Sequence, residues 1–263
     1  MSDEVGESVS DGRTPASSIR FDVLTIFPGM FTGPLDESIM MRARAQGLID
    51  LRIHDLRDWA HDRHRTVDDY PFGGGAGMVM KPEPIFEAIE AIQGQAPEPA
   101  LVVLMSPQGR HLDRALVDEL ASRPRLLLIC GRYEGVDERV IEHAVDLEVS
   151  IGDVVVSGGE LPAMLLIDAV ARRIPGVLGS EESLVEESFD DGLLEYPQYT
   201  RPPMFREWEA PPILLSGNHP EVAKWRRRQQ LLRTRARRPD LLEAAHLTPE
   251  ERRWLDGQPA EES

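Results

Sequence analysis

The chain has 263 residues, 41% of them hydrophobic, which is enough for one large domain or two smaller ones with a proper core. Its single cysteine, Cys130, excludes an intramolecular disulfide and an all-cysteine metal site, and is typical of a reducing cytoplasm. The net charge of −17 is unlike that of a typical nucleic-acid binder, and no apolar stretch of transmembrane length or signal-peptide pattern occurs. We therefore expect a soluble cytoplasmic protein with no membrane partner.

The first third of the chain alternates between strand and helix patterns. Residues 1–18 are rich in Ser, Gly, Asp and Glu without apolar periodicity, and we expect a disordered tail there. After that tail, the alternation predicts an α/β fold with a parallel sheet. Predicted strands cover residues 21–27, 51–56 and 101–105, the last followed by a turn at 106–109, and predicted helices cover residues 36–46 and 113–122.

A long polar loop, residues 61–77, ends in the letters GGGAG. His61 and His64 are three residues apart, which could place two imidazoles on a metal ion. No cysteine or third histidine lies nearby, and Arg63 and Arg65 would repel a cation, so we predict no metal here. Basic side chains beside a glycine-rich segment favour an anionic or purine substrate, although a flexible surface loop has the same composition.

Residues 126–162 carry three glycine turns, each at the end of an apolar run. The runs at 126–130, 147–151 and 154–156 predict strands, and a helix is expected over 161–174, with Pro162 in its first turn. Ligands bind at the carboxyl ends of parallel strands, and glycines there let the backbone approach them closely. No lysine follows a glycine loop as a Walker-type phosphate loop requires, which favours a cofactor recognised by backbone groups. Any one of these turns alone would indicate only a turn.

The carboxyl-terminal third begins with an acidic segment. Seven carboxylates and no Lys or Arg occur between Glu181 and Glu195, a composition typical of a linker. Between Arg201 and Arg238 there are ten Lys or Arg against three Asp or Glu. A helix over 221–237, capped by Asn218 or His219, carries most of these charges and indicates RNA binding, although a solvated basic face would look the same. Its candidate RNA-binding residues are Lys224, Arg226, Arg227 and Arg228.

Six strings of residues are long or unusual enough to be specific: HDRHRTVDDYPFGGGAGMVM, LMSPQGR, GRYEGVDERV, SIGDVVVSGGELPA, IPGVLG and LLSGNHPEVAKWR. They closely resemble the bacterial tRNA (guanine-N1)-methyltransferase family, TrmD, of the SPOUT superfamily. The resemblance covers residues 19–255, nearly the whole chain.

This resemblance implies a fold, a reaction and partners. The fold would be a parallel α/β domain with a SPOUT-type deep trefoil knot, followed by a small helical domain. The domains would be the tail at 1–18, the cofactor-binding domain at 19–178, the linker at 179–195 and the tRNA-binding domain at 196–263. The reaction would move a methyl group from S-adenosylmethionine to N1 of guanosine 37 of tRNA, beside the anticodon. Family members act as homodimers and are described as needing Mg²⁺, which nothing in the sequence locates.

The resemblance also implies site residues, by position in the motifs. Glu187 would be the general base and Arg172 the partner of guanine O6. The family has an aspartate at the position of Glu187, so the reach of this carboxylate differs; Glu186 and Asp190 are neighbouring alternatives. Asp68, Gly75 and Gly77 would shape the guanine pocket. The cofactor would contact Leu104, Ser106, Pro107, Gly131, Glu134, Gly135, Ile151, Gly152, Asp153, Val154 (a tyrosine in the usual family pattern), Val155, Val156, Gly158, Gly159 and Pro162.

Two other functions remain open. One is a SPOUT methyltransferase that acts on another RNA position, against which the HDRHRTVDD and GGGAG strings argue. The other is an RNA-binding protein that keeps the cofactor pocket but has lost catalysis. The substitution at Glu187 is its only support, and the retained Arg172 argues against it.

Cys130 follows four apolar residues at the end of a predicted strand, with no histidine in the same turn. We interpret it as a small buried hydrophobe and not as a nucleophile.

Overall fold

The computed structural model describes residues 18–179 and 187–259. Contacts divide the chain into a first unit, residues 1–179, and a second unit, residues 180–263. The expected disordered tail, apart from Ser18, lies outside the described residues, as do residues 180–186 of the expected linker, which include Glu186. Each unit is described by itself.

The first unit is built on a sheet of five parallel strands. In sheet order these are β2 (Ile49–Asp55), β1 (Ile19–Thr25), β6 (Arg125–Cys130), β5 (Leu101–His111) and β7 (Leu147–Ser150); a separate antiparallel ribbon pairs β3 (Asp68–Asp69) with β4 (Val79–Met80). Every residue of the central strand β6 is buried, as expected for a parallel sheet covered on both faces. The prediction of a parallel α/β fold is confirmed.

Five α-helices of residues 18–179 cover the sheet. They are α1 (Ser38–Ala45), α2 (Pro82–Gln93), α3 (Arg114–Ala121), α4 (Glu138–Ala144) and α5 (Glu160–Ala171). Apolar residues of α1, α3 and α5 form the hydrophobic core on one face of the sheet, and those of α2 and α4 form the core on the other. This two-layer cover leaves the strand ends as the places where a ligand can reach the sheet.

Two predicted local structures differ from the structure. Residues 154–156 are not a strand: no neighbouring strand pairs with them, and Val155 is 86% exposed. The predicted turn at 106–109 lies within β5, where Met105 and Arg110 both pair with Val149, so the intervening residues bulge out of the ladder. Gly109 allows this bulge, because a Cβ there would lie 2.4 Å from the backbone of Glu148.

Helix α2 was not predicted, although its sequence contains the necessary pattern. Ile85, Ala88, Ile89 and Ile92 recur at helical spacing and are all buried. Pro82 and Pro84 precede them and are typical of loops, but Pro82 occupies the first turn, where a proline costs the helix no hydrogen bond.

Residues 187–259 of the second unit contain a short hairpin and three α-helices. These are β8 (Met204–Phe205), β9 (Trp208–Glu209), α6 (His219–Arg237), α7 (Pro239–Ala244) and α8 (Pro249–Asp256). Leu193, Leu231 and Leu255 form its core. The predicted cap at Asn218 is confirmed, because its side chain accepts a hydrogen bond from the Glu221 amide. Thr248 opens α8 with a capping box. Among the helices of the described residues, none is both long and apolar enough to cross a membrane.

A buried carboxylate ties β1 to its neighbours. Asp22 in β1 is fully buried and accepts hydrogen bonds from Arg20 (2.7 Å), Arg125 (2.9 Å) and His54 (2.8 Å). Burial alone raises the pKa of this carboxyl, but the bonds from His54, Arg20 and Arg125 outweigh it and lower the pKa to about 2. Arg125 also donates to the carbonyl of Ile92 at 2.6 Å, so the network reaches the end of α2.

We predict that Asp22→Asn lowers the free energy of unfolding by about 3 kcal/mol, because it leaves the buried Arg125 without its counter-charge. In the unchanged protein the pKa of Asp22 lies below its ordinary 3.8. Its contribution, about 2 kcal/mol, is therefore present above that value and lost as the pH falls toward about 2. Urea denaturation at several pH values measures both effects. The control is Asp50→Asn at an exposed Asp50–Arg52 pair, which should change stability by less than about 1 kcal/mol; equal losses in the two variants would contradict the prediction.

Candidate functional site

A cavity of about 390 Å³ lies at the carboxyl ends of β5, β6 and β7. Its walls are the β5 bulge, the loop after β6 and the segment between β7 and α5. Of the fifteen residues predicted to contact a cofactor, thirteen line this cavity, while Gly152 and Asp153 do not. The thirteen are Leu104, Ser106, Pro107, Gly131, Glu134, Gly135, Ile151, Val154, Val155, Val156, Gly158, Gly159 and Pro162.

The loop after β6 is fixed by pairing with the glycine-rich segment. The Glu134 amide donates to the Met78 carbonyl at 3.0 Å, and the Met80 amide donates to the Gly135 carbonyl at 2.9 Å. Gly135 has φ +131°, which favours glycine strongly. Tyr133 also has a positive φ, +61°, an uncommon conformation for a residue with a side chain. The two backbone hydrogen bonds and the two positive-φ residues therefore fix the conformation of this loop.

Arg132 and Glu160 form a largely buried ion pair beside the cavity. Glu160 is fully buried at the start of α5, where its carboxylate accepts from Thr25 Oγ1 (2.7 Å) and Arg132 Nε (2.9 Å). Arg132 also donates to the Ser157 carbonyl at 3.0 Å, and its guanidinium lies 4.6 Å from the centre of the Phe27 ring. The pair thus connects the end of β1, the loop after β6, the segment between β7 and α5, and the start of α5.

Sequence reasoning missed this pair. Glu160 is the single acidic residue at the start of an apolar helix, which is the one indication in the sequence that a buried partner is needed. Nothing in the sequence identifies Arg132, 28 residues earlier, as that partner.

Cys130 ends β6 directly behind the cavity and is fully buried. Burial raises the pKa of its thiol well above the ordinary value, and the charge of Glu160 adds to the increase. The thiol is therefore protonated and a poor nucleophile, and the prediction of a small buried hydrophobe is confirmed.

Two of the three predicted guanine-pocket residues, Asp68 and Gly77, lie beside the same loop. A Cβ at Gly77 would meet the Glu134 side chain at 2.2 Å, so only glycine lets that carboxylate lie over it. Burial raises the pKa of the Tyr133 phenol, and Asp68, which accepts a hydrogen bond from it, adds to the increase. Gly75 has φ +128° and open space where a Cβ would be. Asp68 and Gly77 are thus brought to the loop that lines the cavity, together with Tyr133, which the sequence reasoning had not singled out.

The two predicted catalytic residues belong to different units. Arg172 is the C-cap of α5 and is half-buried, and its amide donates to the Asp168 carbonyl at 3.2 Å. Glu187 is half-buried in the second unit, where its carbonyl accepts from the Asp190 amide at 3.3 Å. Their assignment as catalytic residues stays a prediction.

The four candidate RNA-binding residues of α6 have different surroundings. Lys224 is exposed. Arg227 pairs with Glu251 at 2.6 Å and also with Asp191, inside the second unit. Two further guanidinium groups lie over aromatic rings, Arg226 over Tyr196 at 4.6 Å and Arg228 over Trp254 at 5.0 Å. Much of the positive charge of this helix therefore holds the unit together.

The cavity has the character of a site for a polar ligand with a cationic centre. Three carboxylates, Glu134, Glu138 and Glu148, line it together with one guanidinium, that of Arg132, whose charge Glu160 balances, so the charge around the cavity is net negative. Its apolar surface comes from side chains such as Ile141 and Ile151. Among the described residues, no group of three or more His, Cys, Asp or Glu could hold a metal ion. His61, considered above, instead contacts Glu87 at 2.6 Å.

Comparison with known proteins gives a consistent result. The family model described as "tRNA (Guanine-1)-methyltransferase TrmD" matches residues 19–244. A tRNA (guanine-N(1)-)-methyltransferase of Geotalea uraniireducens is 59% identical over 90% of this chain and 96% of its own length. Proteins with the same name from Dehalococcoides mccartyi and Chloroflexus aggregans are 54% and 59% identical, over 93% and 86% of this chain and 99% and 89% of their own lengths.

We predict that Gly159→Ala displaces the start of α5 from the end of β6, because the new Cβ would lie 2.7 Å from Cys130 Cα. Backbone atoms cannot rotate away, so we expect the free energy of unfolding to fall by about 1–3 kcal/mol. Denaturant unfolding measures this loss. The control is Gly29→Ala, whose Cβ would meet nothing within 4 Å and which should change stability by about 0.5 kcal/mol or less. Wild-type stability of Gly159→Ala would show that the two segments do not approach this closely.

Proposed function

This chain belongs to the tRNA (guanine-1)-methyltransferase (TrmD) family, and from that premise we propose that it methylates N1 of guanosine 37 in tRNA with S-adenosylmethionine as the donor. The observation that carries the proposal is the cavity at the ends of three parallel strands, lined by thirteen of the residues expected at the cofactor. The substrate is a cytoplasmic RNA, which supports a cytoplasmic location.

The cavity suits S-adenosylmethionine in size and chemistry. Its volume of about 390 Å³ lies within the usual range for small-molecule sites. Leu104, Ile141 and Ile151 offer apolar surface for an adenine ring, and glycine backbone offers polar groups for its edge. The carboxylates of Glu134, Glu138 and Glu148 offset the positive charge of a sulfonium and an amino group. When bound, the cofactor supplies a methyl group on a sulfonium, which is already a good leaving group.

The protein must make guanine N1 nucleophilic. N1 carries a proton, and its lone pair becomes available only as that proton leaves. In our proposal the Glu187 carboxylate accepts the proton as general base. Loss of the proton moves negative charge toward O6, and the Arg172 guanidinium stabilises it there. Glutamate in place of the family aspartate keeps this chemistry and places the carboxylate one methylene further from the backbone.

Positioning of the guanine is assigned to the loop that ends at Gly77. Asp68 and Gly77 lie against Tyr133 and Glu134 of the cavity loop, which supports a base site next to the cofactor site. Gly75, with open space around it, would let the RNA backbone come close. We assign to this loop the task of aligning guanine N1 with the methyl group of the cofactor.

The finer fold assignments are also proposals. We assign residues 19–178 to the cofactor-binding domain, 179–195 to the linker and 196–263 to a helical tRNA-binding domain. We also assign to the first unit the trefoil knot that membership of the family implies. For Mg²⁺ the described residues offer no suitable group of ligands, and we derive no step through it.

A homodimer is supported by an apolar surface at the edge of the cavity. Leu161 and Leu165 are one turn apart on α5 and are 54% and 48% exposed, and Val155 lies nearby in sequence with most of its surface exposed. Leucines on the same face of a helix are normally buried, so we assign this face to the interface with a second copy.

The proposed reaction is tested by methylating tRNA transcripts that carry guanosine or adenosine at position 37. Purified protein and labelled S-adenosylmethionine are used, and the product nucleosides are identified by mass spectrometry. We expect N1-methylguanosine from the guanosine transcript alone. Methylation at another position would contradict the substrate assignment, and failure to methylate with both ligands bound would favour a binding protein.

We predict that Glu187→Gln lowers the single-turnover rate by about 100-fold or more, because the amide cannot accept the N1 proton. Arg172→Ala should lower the same rate by about 100-fold through lost stabilisation of O6. Cofactor affinity, measured by titration, should change little in either variant. The control is Asp190→Asn, the neighbouring carboxylate, which should methylate at close to the wild-type rate. Near-full activity of Glu187→Gln would disprove the base assignment, and a loss confined to cofactor affinity would disprove that of Arg172.

We predict that Leu165→Glu weakens self-association, because it places a charge in the proposed interface. Sedimentation velocity over a range of protein concentrations measures the effect. The control, Met41→Glu, changes a similarly exposed apolar residue on α1 and should sediment as the wild type does. A wild-type protein that stays monomeric at all concentrations would exclude the homodimer.

A further inference from the structure

The hairpin β8–β9 displays two aromatic rings to solvent. Phe205 and Trp208 face each other across the hairpin, with ring centroids 6.1 Å apart. They are 57% and 64% exposed, so neither contributes much to the core of its own unit. Large aromatic side chains that remain this exposed, and as a pair, are typical of a surface that binds something.

Arg206 completes this surface. Its guanidinium lies 5.3 Å from the Phe205 ring centroid and 5.6 Å from that of Trp208. It has φ +58°, an unfavourable conformation for a residue with a side chain. Within residues 18–179 and 187–259, Arg206 forms no ion pair with a carboxylate, so its charge is not neutralised there.

Three other arginines of the second unit form ion pairs or hydrogen bonds within it. Arg227 pairs with Glu251 and Asp191, and Arg238 pairs with Asp240. Arg235 donates to the carbonyls of Leu255, Gln258 and Pro259 and so holds the end of α8. These three arginines stabilise the unit, whereas the guanidinium of Arg206 lies over two exposed aromatic rings.

We propose that the hairpin surface formed by Phe205, Arg206 and Trp208 binds unpaired nucleotides of the RNA substrate by stacking. Every nucleobase has a π face that can stack on an exposed aromatic ring, and an adjacent guanidinium can meet the phosphate that follows. The hairpin itself carries Glu207 and Glu209 beside Arg206, and the positive charge that attracts RNA comes from the rest of the segment 201–238, which has ten Lys or Arg against three Asp or Glu in all. The inference rests on the proposed function and adds to it a contact outside the cavity.

Stacking makes a specific prediction about side-chain chemistry. Trp208→Ala and Phe205→Ala should each weaken the binding of an unmodified tRNA transcript about tenfold. Trp208→Phe should restore most of the affinity, because it keeps a ring, and Trp208→Leu should not, because it keeps only apolar surface. A fully duplex RNA of the same length should bind all of these variants and the wild type alike.

The measurement is an equilibrium titration of each RNA into the full-length protein at fixed salt. The control is Leu215→Ala, a similarly exposed apolar residue in the same unit but outside the hairpin, which should bind tRNA as the wild type does. Titration of S-adenosylmethionine should give unchanged affinity in every variant, because none of these residues lines the cavity. Unfolding midpoints should also stay unchanged, since both rings are more than half exposed.

Wild-type tRNA affinity in Trp208→Ala and Phe205→Ala would overturn the inference, and so would full rescue of affinity by Trp208→Leu. A loss of self-association in the aromatic variants would also overturn it, because it would identify a second copy of the chain as the occupant. Failure of the proposed function is seen separately, as the absence of N1-methylguanosine with the wild-type protein. A wild-type enzyme that methylates tRNA, with hairpin variants that bind it equally well, would leave the function standing and remove the stacking surface.

Discussion

The buried ion pair between Arg132 and Glu160 is the constraint on which the candidate site depends. A carboxylate with no access to water needs partners, and Glu160 has two, the hydroxyl of Thr25 and the guanidinium of Arg132. Arg132 also donates a hydrogen bond to the Ser157 carbonyl. The ion pair therefore fixes the end of β1, the loop after β6 and the segment before α5 relative to one another. Removing either partner would leave a buried charge without a counter-charge and would lower the free energy of unfolding by about 3 kcal/mol or more.

Two glycines of the site are required by the close packing around this pair. A Cβ at Gly158 would lie 2.1 Å from Arg132 Nε, and one at Gly159 would collide with the backbone of Cys130. Both positions must be glycine for the arginine to reach across the loop and for α5 to begin against β6. The same close packing leaves backbone groups exposed at the glycine-bearing part of the cavity wall. A site of this kind can recognise a nucleoside-like ligand by shape and hydrogen bonding.

The sequence was informative where local patterns decide structure, and less so where distant residues meet. Alternating strands and helices predicted the parallel sheet, and glycines at strand ends predicted where the cavity lies. The apolar run 154–156 was wrongly read as a strand, because β-branched residues at a cavity wall have the same pattern as residues in a sheet. The pairing of Arg132 with Glu160, and of Arg227 with Glu251, depends on long-range contacts that no spacing reveals. The roles of Glu187 and Arg172 stay predictions from the family motif.

The most direct test of this account is the affinity for S-adenosylmethionine after removal of the buried carboxylate. Glu160 does not line the cavity but Arg132 does, so Glu160→Met can affect the cofactor through Arg132, whose position and charge balance change, and through the loops that Arg132 holds. Calorimetric titration should show a loss of about tenfold or more in affinity. The control, Glu119→Met, removes a carboxylate that pairs with Arg110 at 2.8 Å on the surface, and it should bind as the wild type does. Wild-type affinity in a folded Glu160→Met protein would show that the ion pair does not shape the site.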